Sequence, residues 1–302
     1  MHVVGRARSG SRVLRSNVGG PARDRVDGGC VTPVRREINA RWPELAAAEL
    51  RPGADHATWL DVGCGVGQGR DLLERAGLRG LYVGADLAAA PDWDQPRAPA
   101  GALATRFIAC DVVDVPARLG AGTVDGAISI SAFEHFPDDL AALLAVRSVL
   151  RDGAPLLLCV PAPAGRVLWG PRHGYRWYTA KRLRRLAEEA GMRVELIQPL
   201  GGAASLGLGL MWFVPAYVLS KLVAGALIIR HGGHRGAARR RHPWSAHLVT
   251  RIQFAHCRTA RGRRLHQRVV ARVNRLDRHA RTPASAWAAV IRKPVDADAA
   301  DG

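Results

Sequence analysis

The sequence predicts an α/β fold, a doubly wound and mostly parallel sheet with helices on both of its faces. Short apolar runs of strand length alternate with helical stretches between residues 58 and 197, which is typical of parallel strands joined by crossover helices. A glycine-rich turn, Gly63–Gly69, directly follows the first of these runs. Because 48% of the 302 residues are hydrophobic, the chain can form a large core and is not disordered as a whole.

The elements are expected in a regular order along the chain. A first helix spans Val34–Leu50, since Pro52 and Gly53 stop it. Six strands are predicted from the apolar runs Thr58–Val62, Gly80–Asp86, Arg106–Cys110, Val124–Ser129, Pro155–Val160 and Arg193–Ile197. Further helices are predicted over Gly69–Ala76, Asp138–Leu150 and Ala180–Ala190.

Three parts of the chain differ in composition. Residues 1–30 are rich in glycine and arginine without periodicity and predict a disordered leader, and residues 31–204 are expected to form the α/β domain. Residues 205–302 are expected to be an extension, with an apolar segment at Leu206–Ile229 and basic helices over Ser245–His256 and Ala260–Arg281. The last helix has an apolar face, formed by Leu265, Val269, Val273 and Leu276.

The net charge of +18 lies mainly outside the predicted α/β domain. Residues 52–229 contain equal numbers of basic and acidic residues, whereas residues 230–282 contain 15 arginines and a single acid, Asp277. Such a basic flank predicts an anionic partner, either a lipid surface or a nucleic acid. A general arginine bias is the other interpretation, since the whole chain has only three lysines.

The five cysteines are scattered and form no C-x-x-C pair. Neither a disulfide framework nor a metal site is therefore expected, and a reducing cytoplasm is the predicted compartment. The first 17 residues lack the apolar run of a secretory signal.

The glycine-rich turn is a candidate nucleotide site. Its glycines let the backbone turn tightly and approach a ligand, and the N-terminus of the next helix offers free N–H groups. Three acids accompany the turn: Asp61 near the end of the first strand, Asp86 at the end of the second, and Asp111 after the third. An acid in the position of Asp86 can bind two ribose hydroxyls.

On these residues the chain resembles the class I S-adenosylmethionine-dependent methyltransferases. The resemblance covers residues 59–200 and rests on the segments DVGCGVG, VGADL, ACDVVDVP, VDGAISISAFEHFPDDL and VLRDGAPLLLCVPAP, in that order. The most similar subgroup is the small-molecule and lipid type that includes the ubiquinone- and menaquinone-biosynthesis enzymes. The resemblance implies a Rossmann-like, seven-stranded sheet and S-adenosyl-L-methionine as the cofactor.

The resemblance also implies which residues hold that cofactor. Asp61 is expected to orient the loop around the methionine part of the cofactor. The other residues expected around that part are Gly63, Cys64, Gly65, Gly67, Ser131 and Ala132. Asp86 is expected to bind the ribose hydroxyls with Leu87 against the adenine, and Asp111 to accept from the adenine amino group with Val112 beside it.

Other interpretations of the same residues stay open. Asp86 or Asp111 would also suit the cap of a helix or turn, and Asp114 rivals Asp111 for the adenine. NAD is the alternative cofactor, but Gln68 stands where a dinucleotide loop needs its third glycine.

The acceptor site is expected where the loops after the fourth and fifth strands meet the carboxyl edge of the sheet. The candidate catalytic residues there are His135, His173 and Tyr178. A structural pairing of Glu134 with His135 at the start of a helix is the favoured alternative. Motifs of the nucleobase and protein-arginine methyltransferases are absent, which favours a small or lipid-linked acceptor. An RNA methyltransferase that uses the basic C-terminus and a non-catalytic membrane-associated protein are the alternative functions.

The apolar segment admits three interpretations: a helical cap over the acceptor pocket, a helix lying on a membrane surface, or a membrane span. Lys221 and Pro215 argue against the span. The arginine-rich stretch that follows favours peripheral contact with the anionic inner face of the membrane. Nucleic acid is less favoured, because Trp244 and Phe254 are the only aromatic residues there that could stack on bases.

Overall fold

The computed structural model describes residues 30–50, 56–91, 93, 103–166, 174–230, 254–278 and 282–295. The predicted leader, apart from residue 30, lies outside the described residues, as does most of the predicted helix Ser245–His256.

A seven-stranded sheet forms the centre of the molecule. Its strands are β1 (Thr58–Val62), β2 (Gly80–Asp86), β3 (Leu103–Ala109), β4 (Gly126–Ile130), β5 (Pro155–Pro161), β6 (Arg193–Leu200) and β7 (Ala286–Arg292). Their order across the sheet is β3-β2-β1-β4-β5-β7-β6, and only β7 runs antiparallel to its neighbours. The predicted fold class, a mostly parallel seven-stranded sheet with helices around it, is confirmed.

Seven α-helices accompany the described strands. They are α1 (Pro33–Glu49), α2 (Gln68–Arg75), α3 (Val115–Leu119), α4 (Asp139–Val149), α5 (Ala180–Glu189), α6 (Ala203–Arg230) and α7 (Ala260–Asp277). Local side-chain caps begin several of them, since Thr32, Asp138 and Thr179 each accept hydrogen bonds from backbone N–H groups in the first turn.

Both faces of the sheet are buried under helices. One core contains Phe133, Tyr178 and the inner side of α4 and α5. The other contains Trp42 from α1, Tyr82 from β2 and the inner side of α2. The central strand β5 is buried along its whole length, which explains why its sequence is apolar without alternation.

The sheet includes a strand from beyond the predicted boundary between residues 204 and 205, because β7 comes from the predicted extension. Ala286–Arg292 lies between β5 and β6 and pairs with both. Val290 and Ile291 are fully buried there. The C-terminal part of the chain therefore completes the sheet rather than following a finished domain.

The predicted apolar segment belongs to a single helix, α6, which continues through Pro215. Its N-terminus is held by Asp277 of α7, whose carboxylate accepts the N–H groups of Ala204 and Ser205 at 2.9 and 3.0 Å. None of the described helices combines the length and apolarity of a membrane span.

The apolar face predicted for α7 does not face the core. Leu265 and Leu276 are 62% and 57% exposed, while His266, Val270 and Asp277 form the buried side. Packing against α1 and α6 selects this side. Helical periodicity identified the leucine stripe, but the buried side depends on neighbours distant in sequence.

A disulfide joins Cys30 to Cys257, 227 residues apart. This corrects the expectation of no disulfide. The bond connects the residue three positions before α1 with a short 3-10 helix, Ala255–Arg258, that precedes α7. Cysteine spacing could not have indicated it, because only the tertiary fold brings these two segments together.

We expect a chain shortened to end at residue 280 to lose cooperative folding, because β5 and β6 would both lose their partner β7. Thermal unfolding followed by far-UV circular dichroism measures this. A chain ending at residue 295 is the control, since it keeps β7, and should melt as the full chain does. A cooperative melt of the shorter chain would contradict the integral role of β7.

Candidate functional site

The candidate site lies at the carboxyl edge of the sheet, where the strand order reverses. β1 is the central strand there, with β2 on one side and β4 on the other. The connections that leave β1 and β4 diverge to opposite faces at such a point, and the crevice between them is where α/β sheets bind ligands.

The loop after β1 is closed by hydrogen bonds to the end of β2. The N–H groups of Gly63 and Cys64 both donate to the Ala85 carbonyl, at 2.8 and 3.1 Å. Gly63, Gly65 and Gly67 have φ values of 71°, 54° and 81°, a conformation that side chains with a Cβ disfavour. The glycine spacing predicted from sequence is therefore required by the backbone path.

Asp86 joins this loop to β2 directly. Its Oδ2 accepts the N–H of Gly65 at 2.8 Å, and the neighbouring Leu87 side chain is 51% exposed at the same edge. A carboxylate has about four acceptor sites, so one bond to the loop leaves capacity for ligand hydroxyls.

Asp61 lies beneath the loop rather than in it. It is buried, and its Oδ2 accepts a hydrogen bond from the Tyr82 hydroxyl at 2.6 Å. A Cβ on Gly69 would overlap this carboxylate, so glycine at the start of α2 lets the helix pack onto it. Burial raises the pKa of Asp61 to about 7, and the Tyr82 hydrogen bond opposes the rise.

The loop after β4 contacts the loop after β1. Ala132 is buried against Gly63, where a Cβ on the glycine would overlap the alanine Cβ. Ser131 has a φ of 55°, which is rare for a residue other than glycine, and its N–H donates to the Cys159 carbonyl at 2.8 Å. The structure thus brings together the residues predicted at the methionine end.

Asp111 begins a 3-10 helix, Val112–Asp114. Its side chain is exposed and accepts the N–H of Val113 at 3.3 Å, while Val112 is buried in the core. This is the capping role that stood as the alternative for Asp111. Its contact with an adenine stays a prediction.

The three predicted catalytic residues have different placements. His135 is at the edge of the site with its side chain 34% exposed, and its Nε2 is 3.9 Å from Oε1 of the buried Glu134. This matches the structural pairing considered for it. His173 lies outside the described residues.

Tyr178 does not fit a catalytic role. Its side chain is fully buried, and its hydroxyl donates to Oδ2 of Asp139 at 3.0 Å and lies 3.2 Å from the Phe133 carbonyl oxygen. Burial and the carboxylate of Asp139 raise the pKa of this hydroxyl, so it stays protonated. Tyr178 anchors the loop after β5 to the start of α4.

The segments after β4 and β5 nevertheless meet as predicted. The N–H of Tyr175 donates to the Glu134 carbonyl at 2.6 Å. The guanidinium of Arg176 donates to the carbonyls of Phe136 and Pro137 and lies 3.4 Å from the Asp139 carboxylate. Arg176 therefore holds the two segments together.

Two residues next to the glycine loop after β1 were not predicted. Trp93 donates its indole N–H to the Gly65 carbonyl at 2.8 Å and stacks on Phe107 with ring centroids 4.8 Å apart. Arg35, from α1, donates to the Gln68 side chain at the start of α2. The sequence could have indicated Trp93, because it is a tryptophan among alanines and prolines. No neighbouring residue indicates the role of Arg35.

A comparison with known protein families identifies the family of this chain. Residues 34–197 match the model of a family described as a methyltransferase domain, which is more than half of the chain. The chain belongs to this family. S-adenosyl-L-methionine is the methyl donor that the family uses. None of the curated proteins matches this methyltransferase in sequence.

Solved structures of other proteins are similar to this chain. The [4+2]-cyclase SpnF is 17% identical, with 86% of this chain and 82% of that one covered and a TM-score of 0.50. An S-adenosylmethionine-dependent methyltransferase from Archaeoglobus fulgidus is 12% identical (86% and 94% covered, TM-score 0.47). The 1,6-didemethyltoxoflavin-N1-methyltransferase of Burkholderia thailandensis is 23% identical (55% and 72% covered, TM-score 0.43).

We expect Asp61→Asn to change how the free energy of unfolding depends on pH. The pKa of Asp61 rises from 3.8 to about 7 on folding, so the native chain holds this proton more tightly than the unfolded chain. The stability that this bound proton contributes is fully present below pH 3.8. It is lost as the pH rises to 7, by about 1.4 kcal/mol per pH unit. Asparagine cannot ionise, so the variant lacks this loss.

Urea unfolding at pH 5 and pH 8 measures the free energy of unfolding of both proteins. Between these two pH values the wild type should lose more stability than Asp61→Asn. Asp152→Asn is the control, because it removes a carboxylate from the opposite edge of the sheet. If the free energy of unfolding depended on pH in the same way in wild type and Asp61→Asn, a raised pKa at Asp61 would be contradicted.

Proposed function

We propose that this methyltransferase transfers a methyl group from S-adenosyl-L-methionine to a small or lipid-linked acceptor at an anionic membrane surface. The observation that carries the proposal is the closed loop Gly63–Gly67, which the Asp86 carboxylate holds and which faces the loop after β4. The acceptor class is the one methylated by the quinone-biosynthesis enzymes that the sequence resembles.

The described residues fit the parts of this cofactor. The glycine loop and Ser131 offer backbone at the methionine end, and Asp86 offers carboxylate acceptors for the ribose hydroxyls. Leu87, exposed beside Asp86, offers an apolar surface for the adenine. S-adenosyl-L-methionine, when bound, supplies a methyl group made electrophilic by its positively charged sulfur.

The protein's part in the reaction is alignment. A nucleophilic acceptor atom must approach the methyl carbon in line with the bond to sulfur, and holding that geometry supplies much of the rate enhancement. Where the acceptor atom loses a proton, His135 is the described residue best placed to take it, because its imidazole is partly exposed at this edge.

Peripheral membrane contact is supported by the outer face of α6. Its side chains that are at least 45% exposed include Met211, Val214, Tyr217, Val218, Leu219 and Leu222. The adjacent helix α7 carries exposed Leu265 and Leu276 between exposed arginines. Apolar side chains next to arginines favour binding at the interface of an anionic membrane.

RNA methylation is the second candidate. The arginines along α7 are its support; they are Arg261, Arg264, Arg268, Arg272 and Arg275, all exposed. They would attract a phosphate backbone as well as an anionic lipid surface. A cofactor-binding protein that transfers no methyl group is the third candidate, since the SpnF structure is described as that of a [4+2]-cyclase.

We expect Asp86→Ala to weaken the binding of S-adenosyl-L-methionine at least tenfold. The loop would lose its hydrogen bond from Gly65, and the ribose hydroxyls would lose their acceptor. Isothermal titration calorimetry with the full chain measures the affinity. Asp152→Ala, at the opposite edge of the sheet, is the matched control and should bind as wild type does. Unchanged affinity in Asp86→Ala would remove Asp86 from the site, and no binding by wild type would overturn the proposal.

The acceptor class is tested by supplying the cofactor with a labelled methyl group to a cell lysate and following the label. We expect it in the lipid or small-molecule fraction with wild type and its loss with Asp86→Ala. Label in RNA would favour the second candidate, and cofactor binding without transfer to any fraction would favour the third.

Membrane contact is tested by co-flotation of the full chain with vesicles. We expect binding to vesicles that contain anionic lipid and several-fold less binding to neutral vesicles. The double variant Met211→Glu, Leu222→Glu should bind several-fold more weakly. Leu144→Glu, on α4 across the sheet from α1, is the control for an added surface charge. Equal binding by wild type and the double variant would contradict contact through α6.

A further inference from the structure

A cluster of metal-binding side chains lies outside the cofactor site, between the start of α1 and α7. Cys30, Cys257 and His266 are 2%, 1% and 2% exposed, and their ligand atoms all lie within 4.8 Å of one another. Three separate segments of the chain supply them. Two sulfurs and an imidazole are the donors that zinc prefers in proteins.

Hydrogen bonding determines which nitrogen of His266 is free to bind a metal. Nε2 lies 2.9 Å from the carbonyl oxygen of Val31. That oxygen can only accept, so Nε2 carries the ring proton and Nδ1 keeps its lone pair. A backbone carbonyl that orients the other ring nitrogen in this way is typical of metal-binding histidines.

A fourth donor is present next to His266. Nε2 of His256 donates a hydrogen bond to Nδ1 of His266 at 3.0 Å, and it offers a lone pair to a metal once its proton is held on Nδ1 of the same ring. Two nitrogens bound to one zinc ion at about 2.0–2.1 Å each lie roughly 3.3 Å apart, so small movements would let both bind the same ion. His256 is exposed and provides the route from solvent to the buried donors.

The surroundings of the cluster are apolar and aromatic. Trp212 of α6 stacks on His266 with ring centroids 4.8 Å apart, and Phe254 contacts the same imidazole edge-on at 5.5 Å. Such packing orients the imidazole and would exclude water from the sulfurs of a bound metal.

We propose that the reduced chain binds one Zn²⁺ ion through the thiolates of Cys30 and Cys257, Nδ1 of His266 and Nε2 of His256. In the structure the two sulfurs form a disulfide, with Cα atoms 6.4 Å apart. A thiol reductant supplies two electrons and two protons, which breaks the S–S bond and leaves two thiols and the reductant's own disulfide. Zinc then displaces the two thiol protons.

The site has a structural consequence for α1. Cys30 stands immediately before Val31 and the N-cap Thr32, and Arg35 in the first turn contacts Gln68 beside the cofactor loop. Either the disulfide or the zinc ion ties the start of this helix to α7. The two states would thus hold α1 against the cofactor loop under oxidising and reducing conditions alike.

Cobalt substitution tests the proposal without reference to activity. The full chain is reduced, freed of reductant under nitrogen and titrated with CoCl₂. We expect one Co²⁺ per chain, with the visible absorption of tetrahedral cobalt and a near-ultraviolet thiolate charge-transfer band, and displacement of both by ZnCl₂. Absence of these bands in the reduced wild type would overturn the proposal.

Matched variants identify the ligands. The double variant Cys30→Ala, Cys257→Ala removes both proposed thiolates and should lose the charge-transfer band, whereas Cys110→Ala, which removes the free thiol that follows β3, should keep it. The oxidised wild type is a folded chain without these thiolates, so it should also lack the band. A band that persists in the double variant or in the oxidised chain would overturn the assignment.

Two further measurements do not depend on how the cysteine variants fold. Zinc should protect Cys30 and Cys257 of the reduced wild type from alkylation by iodoacetamide, as followed by peptide mass spectrometry; equal alkylation with and without zinc would contradict the site. His256→Ala, an exposed substitution, should weaken zinc binding at least tenfold in competition with a chromophoric chelator. Unchanged zinc affinity would remove His256 from the ligand set.

Discussion

The hydrogen bond from the Gly65 amide to the Asp86 carboxylate joins the ends of the first two strands where the sheet reverses its strand order. Together with the Ala85 carbonyl, it gives partners to backbone amides that the tight turn removes from the strands. The turn is possible because its glycines adopt positive φ, and it can approach β4 because Gly63 has no side chain to meet Ala132. The crevice between the loops after β1 and β4, where we propose that the cofactor binds, depends on this closure.

Buried carboxylates attach the C-terminal helices to the rest of the molecule. Glu37 of α1 accepts the N–H of Gly201 at 2.6 Å, and burial raises the pKa of this carboxyl. Asp277 of α7 accepts the amides of Ala204 and Ser205 at the start of α6, where the helix dipole favours a negative charge. The turn from β6 into α6 is therefore held from two sides. This arrangement makes α1, α6 and α7 one layer, although they are distant in sequence.

The segments after β4 and β5, where we propose that the acceptor binds, are organised around Asp139 rather than around a reactive tyrosine. Arg176, Arg182 and Tyr178 all bind its carboxylate, and together they fix the loop after β5 against α4. An aromatic residue in a loop at the sheet edge suits both substrate contact and core packing, and the sequence cannot separate the two. Burial decides for packing at Tyr178, while His135 stays at the surface of the site.

The sequence by itself determined those strands whose limits depend on neighbouring residues, and it determined the residues at their ends. β1 and β2 occupy the predicted ranges, and Asp86 and the glycines stand where the predicted site needs them, because strand length, turn chemistry and helix caps depend on neighbouring residues. Only the tertiary structure decided the role of Ala286–Arg292, the exposed side of α7 and the Cys30–Cys257 bond. Each of these features depends on residues far along the chain. The neighbouring sequence of a short apolar run, a leucine stripe or a single cysteine does not indicate which part of the protein it will contact.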